Sequence, residues 1–134
     1  MLFRSKTGEQ LWRASAYNVR ESIGLSQDQT RFYVRAVEDF FYAFSTSATH
    51  PDKVWQLHAD FVRDINSAML VEKDGVVFYG TKNDLLFALD AKTGALKWEH
   101  KLGTGVMNTV LPLSSTQVLT TDFDGKVTLV EAKP

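Results

Sequence analysis

Short runs of alternating apolar and polar residues, separated by small clusters of turn residues, follow one another along the chain. The pattern is cleanest between Asn66 and Leu102. There NSAMLVE (66–72), GVVFYGT (75–81), LLFALD (85–90) and LKWEHKL (96–102) combine alternation with β-branched and aromatic residues, which predicts four short strands. The connections Lys73-Asp74, Lys82-Asn83-Asp84 and Lys92-Thr93-Gly94 have hairpin chemistry, and Gly94 suits the positive φ that ends a tight turn. QLHADFVRDI (56–65) carries an apparent helical spacing. In the corresponding stretches elsewhere the chain reads as a strand followed by a loop, so no helix is expected.

The unit recurs. Trp12, Trp55 and Trp98 are the three tryptophans and lie 43 residues apart. SKTGEQLW (5–12) overlies AKTGALKW (91–98), and EDFFYAFS (38–45) overlies NDLLFALD (83–90), with DGKVTLVEAK (124–133) following at one residue of drift. The middle copy, STSATHPDKVW (45–55), keeps its tryptophan behind a longer connection that contains Pro51 and lacks glycine. Three repeats, at approximately 1–45, 46–90 and 91–134, fill a single domain over residues 1–134. Four antiparallel strands in about 40–45 residues is the blade of a β-propeller, the period of WD40-like repeats. The fold class is therefore all-β, with about three blades' worth of strands. Leu2-Phe3 is the remnant of a third strand and the Trp12 segment an outer strand. Two full blades follow, and NTVLPLS, QVLTTDF and KVTLVEA form a last blade with no outer strand. A closed ring of three blades is too tight, and long unpaired edges seek partners. Two completions stand open: two copies exchanging end strands into a six-bladed ring, or a longer propeller to which these blades belong.

The pattern Ala88-x-Asp90-x-x-Thr93-Gly94-x-x-x-Trp98 resembles the tryptophan-docking motif of the pyrroloquinoline-quinone (PQQ)-like propellers, the repeat of quinoprotein dehydrogenases and of the outer-membrane assembly propeller lipoprotein. Thr7, Gly8 and Trp12 repeat it in part, and Ala43 and Trp55 more sparsely. The resemblance implies that Trp12, Trp55 and Trp98 wedge between blades, over the turn glycine of an adjacent motif (Gly8, Gly94), with Ala43 and Ala88 permitting close approach. It also implies an extracytoplasmic location, in the periplasm or cell envelope.

Composition narrows the chemistry. With 15 basic and 16 acidic residues and a net charge of -1, the chain has no electrostatic footprint for nucleic acid. It has no cysteine, so thiolate metal sites and the adjacent cysteine pair of many quinoproteins are excluded. No apolar run is long enough to span a membrane, and MLFRSKTGEQ lacks the apolar core of a secretory signal. DFDG (122–125) reads as a hairpin turn rather than a calcium loop, since the remaining ligand positions are missing. His50, His58 and His100 are not at metal-ligand spacing. No metal site, catalytic residue or cofactor is expected, PQQ with calcium included.

One polar series remains. Glu21-Ser22, Asn66-Ser67 and Asn108-Thr109 each open the first strand of a unit. In a propeller those strands line the central channel, so the pairs are candidates for holding a small ligand or peptide, as against merely capping strand ends. Phe40, Phe41, Tyr42 and Phe123 are candidates for a partner surface, although alternation places half of them between blades. The sequence thus points to a binding or scaffolding module, completed by another copy or by further blades. The alternative is part of a quinone-dependent dehydrogenase or of a multidomain hydrolase whose catalytic residues lie elsewhere.

Overall fold

Residues that alternate in polarity and favour extended backbone pair into ladders that bury one face of every other side chain. Every element among the residues described by the computed structural model (2–3, 8–13, 19–37, 40–46, 50–59, 69–106 and 109–132) is such a strand. β1 (Leu2–Phe3) and β2 (Gln10–Trp12) form a two-stranded hairpin. β3 (Val19–Leu25), β4 (Arg31–Ala36), β5 (Phe40–Ser45) and β6 (Lys53–His58) form a four-stranded meander, as do β7 (Val71–Lys73), β8 (Val76–Gly80), β9 (Leu85–Asp90) and β10 (Leu96–Lys101). β11 (Leu111–Pro112), β12 (Gln117–Thr121) and β13 (Val127–Glu131) complete the set as a three-stranded sheet. All pairings are antiparallel between strands consecutive in sequence. The molecule is the all-β, partial β-propeller that the repeats predict.

Two local expectations are corrected. The first strand of the second meander begins at Val71 rather than reaching back through Met69, and it runs on to Lys73; residues 66–68 lie outside the described residues. The turn that follows is Asp74-Gly75 and not Lys73-Asp74. Both residues have positive φ, 50° and 83°, and Lys73 pairs with Val76, a two-residue hairpin whose twist matches that of its strands. The segment with apparent helical spacing enters as strand β6; residues 60–65 lie outside the described residues.

The fourth strand of each unit carries the same irregularity. The register shifts between Trp98, opposite Ala88, and Leu96, opposite Leu89. It shifts likewise between Trp55, opposite Ala43, and Lys53, opposite Phe44, and between Trp12, opposite Leu2, and Gln10, opposite Phe3. One extra residue before each tryptophan bends the strand and re-aims the indole. This common bulge identifies β1 and β2 as the third and fourth strands of a repeat.

The core lies between sheets. Tyr33, Phe41, Ala43 and Trp55 of the first meander interlock with Val77, Tyr79, Leu85, Phe87 and Leu89 of the second. Phe41 meets Tyr79 and Phe87 edge-on, at 5.1 and 5.6 Å between centroids, a favoured arrangement for aromatic rings. On its opposite face the second meander sets Val76, Phe78, Leu86 and Ala88 against Val106, Val110, Val118 and Val130. Each fully buried large apolar side chain contributes roughly 1.5–3 kcal/mol, so stability resides in the joints. The innermost strands also approach closely. A Cβ on Gly24 of β3 would stand 1.9 Å from the Leu70 carbonyl oxygen, just before β7.

Candidate functional site

The residues that the sequence repeats most faithfully meet at the joint between the two meanders. Trp55 is held by the β6 bulge with its ring toward the second meander; it stacks on Tyr33 of its own sheet at 5.9 Å and is 6% exposed. Its indole Nε1–H donates to the Ala91 carbonyl at 2.9 Å, which satisfies the ring's polar edge in a dry joint. Its six-membered ring lies on Gly94, where an added Cβ would meet Cε3 at 2.5 Å. Gly94 has φ +76° and donates its N–H to the Asp90 carbonyl. Asp90 Oδ1 accepts from the N–H groups of Lys92 and Thr93 at 2.8 and 3.1 Å; the first of these bonds leads in lowering its pKa below the ordinary carboxylate value, since they favour the ionised form. The Asp-x-x-Thr-Gly signature is thus a self-braced turn that presents a bare backbone to an indole.

Trp98 occupies the corresponding place in the second meander, opposite Ala88, 6.0 Å from the Phe78 ring and against the cluster containing Val130. It is half-buried, beside a cleft of about 290 Å³ that Glu131 and Ala132 also line. Trp12 stacks on Phe32 of the first meander at 6.1 Å. Gly8 has φ +68° and open space where Gly94 has an indole.

A polar clasp joins the same two meanders at one end of the joint, and sequence reasoning missed it. Glu72, its side chain 6% exposed, accepts from the Tyr33 hydroxyl and, at 2.8 Å, from the Gln27 N–H, and it pairs with Arg31 at 3.8 Å. The Gln27 side-chain oxygen accepts from the Asp74 N–H at 2.6 Å. Burial and the Glu72 carboxylate together raise the Tyr33 pKa above its ordinary value, so the phenol stays a donor. Deeper in the joint the buried Arg35 lies over the rings of Phe41 and Tyr79, at 5.8 and 5.9 Å, and donates to the Tyr79 hydroxyl at 3.2 Å. Partners 39 to 47 residues apart leave no local signal. The repeat period itself was the available clue, because it sets these positions one blade apart. Beside the clasp opens a cleft of about 470 Å³ with Asp28, Arg31, Asp90 and Lys92 on its walls. Asp28 is depressed to about 2, chiefly by the Thr30 hydroxyl and N–H that it accepts from at 2.7 and 3.0 Å.

The channel-side candidates are placed unevenly. Glu21 and Ser22 lie within β3; Asn66, Ser67 and Asn108 fall outside the described residues. Thr109 is half-buried and its Oγ1 accepts the Met69 N–H at 3.1 Å, tying the approach to β11 to the approach to β7. β3, β7 and β11 pack side by side as the innermost strands. Of the candidate aromatics, Phe41 and Tyr42 are buried, Phe40 stacks on His58 at 4.4 Å, and Phe123 is 55% exposed. His50 pairs with Asp52 at 2.9 Å. DFDG is a hairpin turn in which Asp122 Oδ1 accepts from the N–H groups of Asp124 and Lys126. Among the described residues no three His, Asp or Glu side chains converge.

Comparison with known proteins follows the same lines. A stretch of 71 residues here is 35% identical to part of a lanthanide-dependent methanol dehydrogenase of Methylacidiphilum fumariolicum (strain SolV), covering 52% of this chain and 11% of that enzyme. The structure of BamB from Moraxella catarrhalis superposes with a TM-score of 0.69 at 18% identity, over 84% of this chain and 33% of that one. The computationally designed Ika8 protein superposes at 0.58 with 16% identity, over 77% and 30%. The chain therefore spans a third or less of the length of each. Residues 2–133 match the family described as outer membrane protein assembly factor BamB, and the chain belongs to that family of PQQ-like β-propellers.

Proposed function

We propose that this chain is a non-catalytic propeller module of the cell envelope, on the periplasmic side, that scaffolds or binds a protein or small ligand during assembly of the outer membrane. The observation that supports this best is the use made of the repeated residues. Ala43, Trp55, Ala91 and Gly94 build a joint between sheets, and the charged clasp around Glu72 braces that joint rather than facing a reacting atom. Trp12, Trp98, Gly8 and Ala88 are read as the matching docking groups of the neighbouring joints. A rigid stack of this kind presents its connecting loops and its innermost strands, which suits recognition. Glu21, Ser22, Asn66, Ser67, Asn108 and Thr109 are proposed to line the binding channel, and no cofactor is assigned. The family's description as an outer membrane assembly factor supports both the location and the role.

The likeness to a methanol dehydrogenase favours a second reading, in which the blades belong to a quinone-dependent enzyme whose catalytic residues lie elsewhere. One comparison separates the two. A ligand that binds only the folded chain raises its stability by about 2.7 kcal/mol at a hundred times its Kd. Thermal melts with PQQ plus calcium or a lanthanide ion are expected to show no shift, while purified outer-membrane assembly components are expected to co-migrate with the chain. Stabilisation by the quinone together with failure to co-migrate would overturn the first reading in favour of the second.

A further inference from the structure

The cleft beside the Glu72 clasp lies between the two four-stranded meanders, where the β3–β4, β7–β8 and β9–β10 turns come together. Its volume of about 470 Å³ is that of a ligand pocket, and its walls are charged. The chemistry it can accept depends on how much of that charge the chain itself satisfies. Arg31, its side chain 19% exposed, reaches Glu72 only at 3.8 Å, beyond hydrogen-bond distance, and its Nε has no acceptor. Glu72 has given its two oxygens to the Tyr33 hydroxyl and the Gln27 N–H. Lys92 stands exposed on the β9–β10 turn. The cleft's carboxylates are also half-used. Ser26 Oγ, the Thr30 N–H and the Thr30 hydroxyl all donate to Oδ1 of Asp28, and among the described residues its Oδ2 accepts nothing and is not buried. The Lys92 and Thr93 N–H groups likewise go to Oδ1 of Asp90. Gly75 has open space where a Cβ would stand, so a ligand's backbone can approach that turn closely.

We propose that this cleft binds a mixed-charge peptide segment of a partner protein, with an acidic side chain on Arg31 and Lys92 and a basic side chain on Asp28 and Asp90. The balance of charge chooses this occupant. Three carboxylates (Asp28, Glu72, Asp90) stand against two cations on the walls, so a simple anion meets net repulsion, while a simple cation leaves the Arg31 guanidinium without its acceptor. A segment that carries both signs answers both groups. The guanidinium fork suits a carboxylate, and Asp28, held ionised by its turn, suits an ammonium or a second guanidinium. None of these residues belongs to the channel-side set, so the site is separate from whatever the channel holds.

The test is a nuclear magnetic resonance titration of the isotope-labelled chain with a capped peptide, acetyl-Gly-Lys-Gly-Asp-Gly-amide. Control peptides of the same length carry two aspartates, two lysines or two serines at the charged positions. The mixed peptide is expected to shift the amide signals of Gln27, Arg31, Gly75 and Lys92 at concentrations where the controls do not. Salt at about 1 M, where the Debye length is about 3 Å, is expected to suppress the shifts. Lys92→Ala, on an exposed turn, is expected to weaken the mixed peptide by up to about five-fold, and Arg31→Gln to abolish its binding. A mixed peptide that leaves these signals in place overturns the proposal, as does a serine peptide that moves them equally. An aspartate or lysine peptide that binds as well as the mixed one overturns the assignment of its ligand. If Arg31→Gln does not fold, Lys92→Ala and the comparison of peptides decide.

Discussion

At the scale of single residues, Gly94 shows why a glycine signature accompanies a tryptophan one blade away. Its φ of +76° is a region L-residues rarely adopt, and its missing side chain leaves room for Trp55 at 2.5 Å from where a Cβ would sit. The two requirements are separable, because Gly125 has the same φ of +76° with nothing within 4 Å of its absent Cβ. Gly125→Ala is expected to cost only about 1 kcal/mol, the conformational strain. Gly94→Ala adds overpacking against the indole and is expected to cost about 2–4 kcal/mol. Urea melts of the two variants measure the difference directly, and equal losses would remove the indole contact from the account. The positive φ at Gly94 was readable from Thr-Gly at a hairpin end, because turn chemistry is local. That an indole of the adjacent blade rests on it came only from the family resemblance, since local sequence does not say which blade comes next.

At the scale of elements, strands and their ends differ in how far local sequence determines them. The strands were legible because alternation is a property of the strand itself: GVVFYGT and LLFALD lie where β8 and β9 are found. Register and bulges depend on a partner strand, so the displacement before each tryptophan emerged only from pairing. Gly24 is similar. Nothing around it signals a glycine requirement, yet the Leu70 carbonyl occupies the place of its side chain. The β3–β4 turn carries its own stabilising device in Asp28, which accepts from Ser26, from the Thr30 N–H and from the Thr30 hydroxyl. These bonds hold its folded pKa near 2 against an ordinary 3.8. Between those values the unfolded chain binds the proton more readily, so stability rises with pH through that window. The contribution is complete above the ordinary value and is lost as pH falls toward 2. Asp28→Asn is therefore expected to flatten the acid limb of the stability profile while changing its slope little near neutrality. An unchanged acid limb in that variant would show that the turn does not depend on the carboxylate.

At the scale of the whole molecule, sheets that touch only their neighbours derive cooperativity from the joints, as in other repeat architectures. The joint between the two meanders has an apolar part around Phe41, Trp55 and Phe87 and a polar part around Glu72, and the two parts have different consequences. Apolar contacts between sheets tolerate small relative shifts. Hydrogen bonds from Gln27 and Tyr33 to one nearly buried carboxylate do not, so the clasp fixes how the sheets sit. Removing one partner of a buried pair leaves the others desolvated and unsatisfied, at a cost of about 3–5 kcal/mol, and the partial exposure of Arg31, 19%, puts this case at the low end. Glu72→Ala is expected to lower stability by about 3 kcal/mol. It is also expected to uncouple the first meander from the second, so that the denaturant transition broadens and tryptophan fluorescence and circular dichroism cease to coincide. Coincidence of probes is the mark of two-state unfolding. A variant that loses stability yet keeps a single sharp transition by both probes would place the coupling in the aromatic contacts alone, with Glu72 contributing to stability without setting the geometry of the joint.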